Sequence, residues 1–127
     1  PVVARVGAGY PVEQGDIEVR GHVTIKAEPA MPKKVFAVEV QGNSMEPTLY
    51  EGDVVIAKPF IGNPLEIPNG KVIIVRDAYG ELLIKRLKKL SDAVVFASDN
   101  PAYEPIRPNG GHAVIGIALS VIKTVRL

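Results

Sequence analysis

The sequence predicts a mostly β fold: several short antiparallel strands curled around a small core, with at most one or two short helical turns. Three observations carry that expectation. Eleven prolines and twelve glycines cut the chain into short apolar runs, as in chains that turn often. Those runs are rich in Val, Ile and Phe, and their side chains alternate between two faces. No segment sustains the apolar period of a helix.

In chain order, residues 18–25 form the weakest candidate strand, and residues 34–41 the first clear one. In the latter, Phe36, Val38 and Val40 share one face while Val35 and Ala37 share the other. Residues 54–57, 71–76, 81–88 and 93–97 follow as four more, each bounded by turn residues. Asp77-Ala78-Tyr79-Gly80 reads as a hairpin turn between two of them. Residues 113–125 are apolar and β-branched enough for one long strand or two short ones. With Val, Ile and Leu on both faces, this segment must bury both, inside the subunit or against another copy. The single helical turn expected spans residues 44–50, with Pro47 in the first turn, where a missing N–H costs little. Residues 1–16 lack strand character. Their Gly7-Ala8-Gly9-Tyr10 stretch makes an accessible backbone, and composition alone reads it as a frayed terminus.

Composition bounds the function. A chain of 127 residues fits one domain, and 46% hydrophobic residues with a net charge of +1 is not the signature of disorder. Fifteen Lys+Arg against fourteen Asp+Glu lacks the basic excess of a DNA-coating surface. The absence of cysteine removes disulfide scaffolds, thiolate zinc sites and cysteine nucleophiles, and fits a reducing cytoplasm. The longest apolar run, residues 113–122, falls well short of the roughly 18 residues of a membrane span. No charged-then-apolar leader opens the chain. A start at Pro1 rather than Met suggests a fragment, a processed product or a trimmed piece.

His22 and His112 stand far apart without neighbouring acids at ligand spacing, so no metal is expected and two ordinary surface histidines are the simpler reading. No phosphate-binding glycine pattern occurs, and no cofactor is expected. The segment Gly42-Asn43-Ser44-Met45-Glu46-Pro47-Thr48-Leu49 directly follows a strand. A serine on such a tight turn presents its hydroxyl beside backbone N–H groups able to stabilise an oxyanion. Equally, Ser44 can simply cap a helical turn, with Glu46 and Pro47 as ordinary first-turn residues.

A serine nucleophile needs a base. In residues 81–88, Leu83, Lys85 and Leu87 share a face, with Leu82, Ile84 and Arg86 on the other. A lysine between two leucines loses solvation, which disfavours the ammonium and makes a base of it. The alternative is an edge-strand lysine that discourages aggregation, or one whose stem lies over apolar surface. Arg86 stays charged and cannot serve.

Three separated pieces together resemble the C-terminal domain of the LexA-type and phage repressors, the self-cleaving Ser/Lys peptidases that also include UmuD. They are Gly42-Asn43-Ser44-Met45-Glu46-Pro47 with Gly52-Asp53, then Ile84-Lys85-Arg86-Leu87, then Ser98-Asp99-Asn100-Pro101-Ala102-Tyr103-Glu104-Pro105-Ile106 with Val114-Ile115-Gly116. The resemblance implies a LexA C-terminal-domain-like β fold and a catalytic pair, Ser44 and Lys85. It implies an oxyanion hole from the backbone N–H groups of Asn43 and Ser44, and a cleavage site at Ala8-Gly9. On this reading residues 1–16 are a cleavage-site segment and residues 17–127 the peptidase and dimerisation domain. A homodimer is implied, with a RecA–single-stranded-DNA filament favouring the docked cleavage segment as part of the SOS response. DNA binding would belong to an N-terminal helix-turn-helix domain absent from these residues, and no membrane is involved.

Other readings remain. Type I signal peptidases share the Ser/Lys pair and a Ser-Met-Glu-Pro-Thr-Leu segment, though neither the residues 98–106 stretch nor an upstream Ala-Gly bond fits them. A non-cleaving dimerisation module is a second. A UmuD-like polymerase accessory protein is a third, set against the Ala8-Gly9 bond because those proteins usually carry Cys-Gly there.

Overall fold

The computed structural model describes residues 3–5, 18–19, 23–24, 34–125 and 127. Their strands are β1 (Val3–Arg5), β2 (Glu18–Val19), β3 (Val23–Thr24), β4 (Phe36–Glu39), β5 (Val54–Pro59), β6 (Val72–Arg76), β7 (Leu82–Lys89), β8 (Val94–Ala97) and β9 (Ala113–Ile122). The fold is mostly antiparallel β, as the alternating apolar runs predict. Seven strands form one sheet in the order β1-β4-β5-β9-β6-β7-β8, and β2 and β3 pair separately. Among the described residues, only the β1–β4 pairing is parallel.

The sheet curls on itself. Phe36 and Val38 of β4 share one core with Val55 and Ala57 of β5, Ile74 of β6, and Leu82 and Ile84 of β7. Yet three strands separate β4 from β7 in the sheet order, so only a strongly bent sheet brings them together. Both β9 pairings contain a register shift, between Ile56 and Ala57 and between Ile74 and Val75. Bulges of this kind bend a strand and increase its twist. Gly116 in the middle of β9 permits the closure: a Cβ there would stand 2.5 Å from the Phe36 ring.

The opposite faces are also covered. Val35 and Ala37 pack with Val54 and Ile56, while Ile73, Val75, Leu87, Phe96, Val114 and Ile117 form a further cluster. The two-faced reading of residues 35–40 therefore holds on both sides. The Asp77–Gly80 hairpin turn also forms: Gly80 N–H donates to Asp77 O at 3.1 Å, and Asp77 Oδ1 accepts from Tyr79 and Glu81 N–H. Gly80 carries the positive φ, +82°, that the turn demands.

Three expectations are corrected. Residues 1–16 are not strandless: Val3–Arg5 pairs with β4, whose edge backbone groups need partners that composition does not reveal. Residues 18–25 give two short paired strands rather than one. Residues 44–50 are a series of turns, not a helix, held by Glu46 N–H to Asn43 O and by Thr48 and Leu49 N–H to Met45 O. The 3-10 turn lies instead at Pro64–Glu66, where the Asn63 side chain accepts from Leu65 N–H. Within one subunit, β9 is buried mainly in its first half, and Leu119 and Val121 stay exposed.

Candidate functional site

β4 delivers the chain into the Ser44 turn, and the residues after it anchor that turn in the core. Met45 and Leu49 are buried with Phe36, Val38 and Val40, so Ser44 stands half-buried at the rim of a fixed turn. The Asn43 carbonyl accepts from Glu46 N–H at 3.2 Å and from Asn100 Nδ2 at 3.0 Å. A trans peptide holds its N–H opposite its C=O, so pinning the Asn43 carbonyl fixes the direction of the Ser44 N–H. Asn43 Oδ1 accepts from the Tyr103 hydroxyl at 2.6 Å, and the Ser44 carbonyl from Asn100 N–H at 3.0 Å.

Lys85 comes from β7. Leu82 and Ile84 face the inner core while Leu83 and Leu87 join the second cluster, so Lys85 lies among apolar neighbours and is only 7% exposed. Burial holds its amine below the ordinary lysine range. Its Nζ donates to the Ser98 hydroxyl at 2.8 Å and lies 5.8 Å from the centre of the Tyr103 ring. Ser44 and Lys85 line the same cleft of about 210 Å³, together with Gln41, Gly42, Asn43, Leu83, Ile84 and Tyr103. The curl of the sheet thus brings together the two side chains that the sequence selects separately.

The segment after β8 ties the two halves together. Asp99 receives a two-pronged bond from Arg86, Nε to Oδ1 and Nη2 to Oδ2, each 2.8 Å, and also a bond from the Thr48 hydroxyl. The Arg86 guanidinium keeps the Asp99 carboxyl below its usual range, and Asp99 in turn raises Arg86. Arg86 Nη1 also donates to Gly70 O at 2.7 Å. Ser98, Asp99, Asn100 and Tyr103 therefore touch the lysine strand, the nucleophile turn or both.

Asp53 secures the far end of the turn. It is 2% exposed, accepting from Tyr50 N–H at 2.8 Å, Thr124 N–H at 2.9 Å and Lys123 Nζ at 2.9 Å. Burial pushes its pKa up, but the bonds from Tyr50, Thr124 and Lys123 outweigh it and leave the carboxyl below its ordinary value. Lys123 Nζ also donates to the Thr48 carbonyl.

Of the residues selected from sequence, Asn43, Ser44 and Lys85 come together in the cleft. Ala8, Gly9 and His22 lie outside the described residues. His112 packs edge-on against Phe96 and does not line the cleft. Ser98, Asn100 and Tyr103 belong to the third piece that carries the resemblance, which assigns them no role. The residues 81–97 hairpin held a usable signal for Ser98: with Arg86 opposite Ala97, the next position along places Ser98 across from Lys85. Among the described residues, no helix is long and apolar enough to cross a membrane.

A family profile described as Peptidase S24-like matches residues 1–119. LexA repressor 2 of Pseudomonas syringae pv. tomato is 31% identical over 128 residues, covering 97% of this chain and 59% of that protein. LexA repressor 1 of Xanthomonas campestris pv. campestris is 29% identical over 126 residues, covering 97% and 60%. The LexA repressor of Alteromonas mediterranea is 30% identical over 129 residues, covering 97% and 58%. The chain thus spans about six tenths of the length of the curated relatives it matches.

Proposed function

Because the chain belongs to the Peptidase S24-like family, we propose that it is the regulatory domain of a LexA-like or phage repressor that cuts its own Ala8-Gly9 bond with Ser44 and Lys85. The observation that carries this reading is the shared cleft: a serine on a pinned turn and a desolvated lysine line one cavity. Neutral Lys85 takes the Ser44 hydroxyl proton as Oγ attacks the Ala8 carbonyl carbon. The Ser44 and Asn43 N–H groups receive the oxyanion. The C–N bond then breaks, the Lys85 ammonium protonates the departing Gly9 amine, and water, deprotonated by Lys85, releases the acyl group from Ser44.

β1 supports an intramolecular cut. It runs parallel to β4 with Arg5 opposite Glu39, so the chain leaves β1 in the direction in which β4 leads to Ser44. Ala8 is three residues beyond Arg5, a reach of at most about 11 Å. Tethering of this kind replaces a bimolecular encounter.

The remaining elements follow from the same reading. Exposed Leu119 and Val121 on β9 are apolar surface that a second copy would cover in a homodimer. Relatives named LexA repressor that extend well past this chain support a cytoplasmic repressor whose DNA-reading domain lies outside it. A RecA–single-stranded-DNA filament would stimulate the cut by favouring the docked cleavage segment. Ser44→Ala and Lys85→Ala are the test: each stops cleavage while the thermal melt stays cooperative. Cleavage at an unchanged rate in Lys85→Ala would require another base.

A further inference from the structure

We infer that Ser98 is a positioning residue for Lys85, its hydroxyl aiming the lysine amine at Ser44 and tuning its affinity for a proton. The inference rests on the Ser44/Lys85 reading above and extends it to a residue on a different strand end.

Among the described residues, Lys85 Nζ has one polar side-chain contact: it donates to Ser98 Oγ at 2.8 Å. On its own side of the cleft Lys85 is flanked by Leu83, Ile84 and the Tyr103 ring, with the turn at residues 41–44 forming the rest of the wall. A lysine stem has four rotatable bonds and turns freely unless its end is held. Ser98 supplies that hold from directly across the β7–β8 pairing, whose register sets Arg86 opposite Ala97. With one N–H directed to Ser98, the neutral nitrogen's lone pair is confined to the two remaining tetrahedral positions.

The support of Ser98 is itself rigid. Phe96, two residues before it, is buried and exchanges backbone bonds with Ile106 in both directions at 2.8 Å. Asp99, directly after it, is fixed by Arg86, and Asn100 by the Asn43 and Ser44 carbonyls. One short segment therefore sets the position of the lysine end relative to the serine turn.

A hydroxyl accepts a stronger bond from an ammonium than from an amine. Removing it therefore favours the neutral lysine while leaving the nitrogen unaimed, a pair of effects that a merely structural serine would not produce. The experiment uses the full chain with Ser98→Ala and Ser98→Thr. Lysine Cε resonances are titrated by NMR in a Ser44→Ala background, and cleavage is timed against pH with Ser44 present. In Ser98→Ala the Lys85 midpoint moves down by about half a pH unit or more, and the alkaline plateau rate falls about ten-fold. Ser98→Thr, which keeps the hydroxyl, restores both. An unmoved Lys85 midpoint in Ser98→Ala, or a threonine variant as impaired as the alanine one, overturns the inference. The titration needs no cleavage, so a wild-type chain that fails to cut counts against the proposed function and leaves the midpoint to decide Ser98.

Discussion

Asn100 holds Ser44 from the opposite end of the sheet: its backbone N–H donates to the Ser44 carbonyl at 3.0 Å while its side chain donates to the Asn43 carbonyl at the same distance. Neighbours in sequence to Asn100 grip Lys85 and Arg86. The serine and the lysine are thus held by one strap rather than by two independent scaffolds, and that sets what substitutions should do.

Asn100→Ala removes the bond to the Asn43 carbonyl and frees the peptide that orients the Ser44 N–H. Self-cleavage is expected to fall about ten-fold, since small misplacements of reacting groups are costly. Stability should drop by only about 1 kcal/mol, the net worth of a hydrogen bond. Timed gels and thermal melts on the same preparation check both. An unchanged cleavage rate would remove the strap from the account.

Lys85 predicts a pH effect on stability. Its folded pKa is depressed by burial from the ordinary 10.5. In the window between the folded value and 10.5, the unfolded chain holds this proton and the folded chain does not, so this group makes stability rise with pH. Lys85→Met removes the penalty. The variant should melt higher than wild type at neutral pH, with the gap closing as pH rises through that window.

Asp53 has the opposite sense. Its folded pKa lies below the ordinary 3.8, so its contribution is present above that value and lost as pH falls through the folded pKa. Asp53→Ala strands the Tyr50 and Thr124 N–H groups and should cost about 1.5–3 kcal/mol at neutral pH, the range for bonds to a charged group. The deficit against wild type should shrink in acid denaturation series, and cleavage should slow as the turn after Ser44 loosens.

Gly116→Ala tests the curl. The new Cβ would stand 2.5 Å from Phe36 Cζ and 3.3 Å from the Lys58 carbonyl, one of them backbone and unable to yield. Overpacking of this kind costs about 1–3 kcal/mol, and denaturant unfolding measures it.

Much of this was legible in the residues. The alternation of residues 35–40 forecast two buried faces, and both exist. The leucines flanking Lys85 forecast its burial, because side-chain alternation is local and the neighbours carry the signal. What stayed hidden depends on long-range pairing. That β4 and β7 share a core follows from the closure of the sheet, which no single strand encodes. The burial and bonding of Asp53 are not legible in its own segment, because its three donors come from residues 50, 123 and 124. The turn expected as a helix at residues 44–50 failed for a nearer reason: Pro47 offers no N–H to continue a ladder, and the apolar pair Met45 and Leu49 is served by the core instead.

The central claim is that Ser44 and Lys85 cut this chain between Ala8 and Gly9. Incubating the full chain across rising alkaline pH and reading the products by mass spectrometry tests it most directly. The account predicts a fragment beginning at Gly9, formed faster as pH rises until Lys85 is neutral and then at a constant rate. An intact chain at every pH, or a cut at another bond, would contradict it.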